Sequence, residues 1–150
     1  SAVKATVQVG ETTIPGWVVD QGNVDLSDSW MPSDGQWCVD LDGFYSVGAI
    51  SQEVATEQGK IYELQFDLSA NPSGTLPTVS VEVTAGIQVR QFVFDRALLQ
   101  PTESAMNWQR HSMQFTAEGS STIRFRSLSL DDGVTNAWGP VIDNVTLGVV

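Results

Sequence analysis

The chain has 150 residues, with 7 Lys and Arg against 18 Asp and Glu, a net charge of −11, one His and one Cys. A domain of this length buries a core of its own, the lone Cys38 excludes an internal disulfide, and Cys38 with His111 cannot supply the four ligands of a structural zinc. The negative charge repels phosphate backbones and anionic lipid, and no run approaches the ~20 apolar residues of a membrane span, so nucleic acid and membranes are excluded as partners.

Charged residues make up only 17% of the chain while Val, Thr, Ser and Gly abound, a mixture that suits pleated strands and tight turns, so the expectation is all-β. No internal repeat, linker or low-complexity tract interrupts 1–150, which is read as a single domain, excised from a larger exported protein whose leader is already gone. In chain order, strands are predicted at Gln36–Leu41, Ala49–Ala55 and Lys60–Leu68, the last with Tyr62, Leu64, Phe66 and Leu68 on one face and Ile61, Glu63, Gln65 and Asp67 on the other. Asn71-Pro72-Ser73-Gly74 then turns the chain into an antiparallel neighbour, where Val79, Val81 and Val83 alternate with polar residues up to Ala85-Gly86. Gln88–Asp95 follows, and then Ala97-Leu98-Leu99, a short helix cut off by Pro101. Trp108–Thr116, Thr122–Leu130 and Val141–Val149 complete a set of at least eight short strands, which predicts a two-sheet antiparallel β-sandwich of jelly-roll type.

Catalytic chemistry finds little support. His111 shares a strand face with Gln109, Met113 and Phe115, the setting of a packed histidine rather than a triad base. Asp40 with Asp42, and Asp131 with Asp132, are close enough to suggest paired carboxylates, but neighbouring acids in an acidic protein are expected to be solvated. The glycines are isolated at turns, so no phosphate loop is present, and Cys38 between Trp37 and Val39 reads as a buried, inert thiol.

The five Trp residues are more informative. An indole in a groove stacks on the apolar face of a sugar ring while neighbouring polar side chains bond its hydroxyls. Trp17 and Trp108 are expected in the core; Trp30, Trp37 and Trp138, amid Ser, Asp, Gly and Asn, are expected at the surface.

Several motifs occur in order: Ile14-Pro15-Gly16-Trp17, Gly22-Asn23-Val24-Asp25, Val39-Asp40-Leu41-Asp42-Gly43, Gly48-Ala49-Ile50-Ser51-Gln52, Phe66-Asp67-Leu68-Ser69-Ala70-Asn71-Pro72, Phe92-Val93-Phe94-Asp95 and Gly139-Pro140-Val141-Ile142-Asp143-Asn144-Val145. The series resembles the DUF642 family, known also from bacterial "choice-of-anchor" surface proteins, whose domains are galactose-binding-like jelly rolls. Members usually begin with an Asn-Gly-Ser-Phe-Glu type strand, which Ser1–Val9 lacks. The resemblance implies a non-catalytic carbohydrate-binding module that anchors an exported bacterial protein, extracellular or at the cell surface, to a polysaccharide. It also implies a structural calcium held by Asp143, with Asp34 and backbone carbonyls completing the shell.

Within that reading, a loop site would use Trp30, Trp37, Tyr45 and Trp138 as stacking platforms and Asp34, Asp42 and Asn136 as hydroxyl partners. A sheet-face site would use Arg90, Arg124 and Arg126, unless these arginines merely pair with the abundant acids. Such a module is expected to be a monomer with an oligosaccharide or polysaccharide as its partner. Two other classes compete: a structural or adhesive module whose exposed aromatic residues meet protein partners or its own copies, and a small glycoside hydrolase or lyase.

Overall fold

A computed structural model describes residues 5–150. Its strands are β1 (Ala5–Gln8), β2 (Val18–Gln21), β3 (Asn23–Ser27), β4 (Cys38–Asp40), β5 (Ala49–Ala55), β6 (Ile61–Ala70), β7 (Thr78–Ala85), β8 (Gln88–Asp95), β9 (Gln109–Thr116), β10 (Ser120–Ser127) and β11 (Pro140–Val149), with the short helix α1 (Arg96–Leu99). The family's opening strand is sought in 1–9; residues 1–4 lie outside the described residues, and Ala5–Gln8 form β1.

Two antiparallel sheets face each other, in the orders β1-β3-β4-β11-β6-β9 and β2-β5-β10-β7-β8. The period-two pattern explains why they stack: Leu64, Phe66 and Leu68 of β6 and Val79, Val81 and Val83 of β7 are all buried between the sheets, while the residues between them belong to the opposite face of each sheet. Phe66 lies edge-on to both Phe92 and Phe125, with centroids 5.1 Å apart in each case, and centres the main core. His111 packs into the same group, 4.9 Å from Phe92 and 5.7 Å from Phe66. It is a packed histidine, as its strand face predicted.

β2 and β3 belong to different sheets although only Gly22 separates them. Gly22 has φ +55°, and a Cβ there would stand 2.4 Å from both Ser46 Oγ and Val47 O, so the crossover needs glycine for conformation and for space.

A second, smaller core lies outside the six-stranded sheet, where Trp30, Cys38, Met106 and Val141 pack together under Trp108. Trp30 is only 2% exposed. The expectation of a surface platform at Trp30 is therefore corrected: the segment after β3 folds back over the sheet, and the indole fills the space against Met106 and Val141. Cys38 is buried in the same cluster, and burial together with the charges of Asp143 and Asp40 pushes its thiol up to about 12, inert at neutral pH.

Candidate functional site

The sheet face is accounted for first. Arg124 meets Asp20 in a fork, Nε to Oδ2 at 3.0 Å and Nη2 to Oδ1 at 2.9 Å, and Arg126 meets Glu82 likewise at 3.2 and 3.0 Å. These pairs hold Asp20 and Glu82 below the usual carboxylate range, Asp20 against the opposing effect of its burial. Arg90 lies on the other side of the sheet: it pairs in register with buried Val83, and its guanidinium sits 5.4 Å from the Phe92 ring centroid. The three arginines do not form one ladder, and the two on the outer face are committed to acids.

The loop residues separate into two places. Where β4 and β6 finish and β5 and β11 begin, loops 41–48 and 128–139 bring Tyr45, Asp42, Asn136 and Trp138 to one end of the sandwich. Tyr45 is 47% exposed and lies edge-on to the still more exposed Phe44, at 5.2 Å. Trp138 is half-buried. Asp42 and Asn136, however, are completely buried, so the expectation that they bond sugar hydroxyls is corrected.

Their burial follows from the network beneath them. Asp40, also fully buried, accepts the Asp42 N–H at 2.9 Å, the Gly139 N–H at 3.1 Å and Asn71 Nδ2 at 2.8 Å, while Asn71 O accepts Arg96 Nη2 at 3.2 Å. Asp40 thus ties three loops together, and the segment after it is drawn inward. Burial, reinforced by Asp42, raises the Asp40 pKa well above its usual value, and burial pushes Asp42 up to about 6. The acids at 40 and 42 are not solvated as a charged pair in an acidic protein would be. Asp131 and Asp132 lie in the exposed turn, as expected.

The other place is a cleft of about 650 Å³ that brings Trp37 and Asp34 together with a residue the sequence did not mark for binding, Trp17. It exists because β4 has 3 residues and β11 has 10: beyond Ile142, β11 has β6 on one side and no strand on the other. Core residues Leu26, Val39, Ile50 and Ile142 line the gap between the sheets, together with Ile14, Pro15 and Trp37. Trp17 is half-buried, tilted 60° against Phe125 at 5.7 Å, and lines the cleft from below the 12–16 turn. The motif Ile14-Pro15-Gly16 is the signal that placed it there: a Pro-Gly turn carries the following indole to a loop end rather than into a strand interior.

Polar residues also line the cleft. A bulge between Asp143 and Thr146 puts Asn144 at φ +51°, and Arg110 fixes this segment, Nη1 to Asn144 O at 2.8 Å and Nη2 to Thr146 Oγ1 at 3.1 Å. Asn144 Nδ2 bonds Asp67 Oδ2 at 3.2 Å. Exposed Asp34 is among them, its N–H donating to Asp143 Oδ2 at 3.0 Å. Two indoles lining one cleft with amide, hydroxyl and carboxylate residues supply the residue types that sugar rings and their hydroxyls require.

The pair Asp143 and Asp34 does not fit calcium. Asp143 Oδ2 already accepts Ser33 N at 2.8 Å, Ser33 Oγ at 3.2 Å and Asp34 N, and its Oδ1 accepts Asn144 N at 2.8 Å. Donors occupy the directions a cation would take, so this carboxylate holds loop amides.

Comparison with known proteins places the whole chain. Residues 1–148 match the family model described as protein of unknown function, DUF642. No curated protein matches the chain. Among solved structures, TmCBM61 in complex with β-1,4-galactotriose is similar at TM-score 0.63 and 18% identity, covering 94% of this chain and 92% of that one. A family 35 carbohydrate-binding module from Clostridium thermocellum gives TM-score 0.60 at 16% identity, over 95% and 97%. The family 35 module from Paenibacillus barcinonensis gives 0.57 at 17%, over 96% and 98%. At these identities the likeness is one of fold, and with the family match over nearly the full length it establishes that the chain belongs to the DUF642 family and folds as a jelly-roll β-sandwich of the carbohydrate-binding-module type.

Proposed function

We propose that the protein is a non-catalytic carbohydrate-binding module of an exported bacterial protein, which it anchors to a polysaccharide outside the cell or at its surface. The observation that carries this reading is the cleft lined by Trp17 and Trp37 together with Asp34, Asn144 and Thr146. Its apolar floor and polar residues suit a sugar ring, whose two faces and edge differ in the same way. The acids and the thiol that line the cleft are ill-suited to catalysis: Asp143 accepts from the Ser33, Asp34 and Asn144 amides, burial keeps the Cys38 thiol protonated, and His111 is packed among phenylalanines.

Trp37→Ala tests the reading by native affinity electrophoresis through gels containing plant, algal and bacterial polysaccharides. The wild-type chain is expected to be retarded in at least one gel and Trp37→Ala in none, with an unchanged melting temperature. Equal retardation of the two would move the site away from the cleft.

A second reading, an adhesive module that meets protein partners or its own copies, draws on the far end of the sandwich. There Phe44 is 73% exposed, Leu130 72% and Val134 62%. Gel filtration across a concentration series separates the two readings: a sugar binder elutes as a monomer throughout, and an adhesive module shifts to larger species.

A further inference from the structure

The carboxylate of Asp42 is fully buried, and neither of its oxygens completes a hydrogen bond. Asn136, also fully buried, donates Nδ2 to Asp131 Oδ1 at 2.9 Å, which fixes the amide and leaves its Oδ1 without a partner. Two loops deliver these groups to one corner. Gly139, farther along the loop that carries Asn136, abuts Asp42 so closely that a Cβ there would stand 2.6 Å from the Asp42 Cγ. Ser127 and Ser129 at the end of β10 approach Asp42 and oppose the rise of its pKa, which Asp131 and Asp132 reinforce. Ser127, however, directs its hydroxyl at Ser129 Oγ, 3.1 Å away, rather than at the carboxylate.

An enclosed carboxylate is unfavourable in its ionised form unless it takes up a proton or a cation meets it, and at neutral pH a cation is the partner that keeps it ionised. The available atoms are all oxygens: two from Asp42, one from Asn136, the second of Asp131 and the serine hydroxyls. Asp132 does not compete, since it accepts Val134 N at 2.8 Å, Thr135 N at 2.7 Å and Thr135 Oγ1 at 2.7 Å and so shapes the turn that presents Asp131 and Asn136. Among the described residues no three His, Cys, Asp or Glu side chains converge on a metal site, so the set is mixed carboxylate, amide and hydroxyl. A hard, flexibly coordinated ion accepts such a set, whereas transition metals favour nitrogen or sulfur and magnesium keeps a tight octahedron of mostly water.

We propose that Asp42, Asn136 and Asp131 hold a calcium-class ion that clamps loop 41–48 to loop 128–139. The site is separate from the cleft and from Asp143, and it stands or falls independently of sugar binding.

Calorimetric melting of the full chain with calcium chloride or with EDTA at neutral pH tests it, together with isothermal titration of calcium. The expected results are a rise in Tm of several degrees with calcium and one ion bound per chain. Asp42→Asn should lose the calcium response and melt above the wild type in EDTA, because the isosteric amide removes the enclosed charge. Asp34→Asn should keep the response. Should Asp42→Asn fail to fold, Asn136→Ala gives the same reading through a calcium affinity weakened at least tenfold. No calcium response in the wild type, an equal response in Asp42→Asn or in Asn136→Ala, or its loss in Asp34→Asn would overturn the proposal.

Discussion

Trp30 and Trp37 flank one loop and meet opposite surroundings. Trp30 is closed in against Met106 and Val141, whereas Trp37 lines an open cleft. Truncating the first leaves a cavity and truncating the second mainly removes a contact surface. Trp30→Ala is therefore expected to lower stability by about 3–5 kcal/mol in urea unfolding, against little change for Trp37→Ala. The polarity of neighbours such as Asp28, Ser29 and Ser33 misleads here, because what buries Trp30 comes from positions remote in sequence. His111 gives a second expectation at this scale. Burial holds its pKa below the ordinary value, against the pull of Asp67, and its Nε2 is enclosed without a partner. The folded state thus favours neutral imidazole, while the unfolded chain takes up a proton near pH ~6.5. Stability from this group is present above that pH and is lost as pH falls below it. Relative to the wild type, His111→Phe should flatten the loss of urea midpoint between neutral and mildly acidic pH; an unchanged slope would show that the ring is not held neutral.

Among the elements, the strands with strict alternation were legible from sequence. β5 and β8 have the predicted bounds, Ala49–Ala55 and Gln88–Asp95, β9 and β11 differ by one residue at one end, and β6 by one residue at its start and two at its end. β4 is shorter than predicted at both ends, and β10 starts two residues earlier and stops three residues earlier. β1, β2 and β3 were not read, because runs of four or five residues give too few alternations and Gly22 moves the chain between sheets without a loop. The cleft was half legible: Trp37 and Asp34 were marked for binding, but Trp17 joins them only because β4 stops short of β11. Burial of Asp42 was hidden for a related reason, since the Asp40 network depends on Asn71 and Gly139 from distant loops. That network also makes Gly139 sensitive. A Cβ there would stand 2.7 Å from the Asp42 Cβ and 2.8 Å from Asp40 Oδ1, so Gly139→Ala is expected to cost about 1–3 kcal/mol in thermal unfolding. Gly119→Ala, whose Cβ meets nothing within 4 Å, should be near neutral. Comparable melting of the two variants would show that the loop gives way freely around Asp40.

On the scale of the molecule, three surfaces of the sandwich differ in chemistry. The outer face of the five-stranded sheet has its guanidinium groups neutralised by Asp20 and Glu82. The end carrying Phe44 and Tyr45 exposes aromatic rings above a buried acidic cluster. The cleft beside β11 combines two indoles, an apolar floor and polar groups in one concavity. The net charge of −11 repels polyanions, so under the proposed sugar-binding reading neutral glycans are expected to bind better than strongly acidic ones. Native affinity electrophoresis of the wild-type chain through a panel of neutral and acidic polysaccharides tests sugar binding most directly. Retardation in a neutral-glycan gel, abolished by Trp37→Ala, is the expected result; unchanged mobility in every gel would contradict sugar binding and leave the exposed loop end as the working surface of the protein.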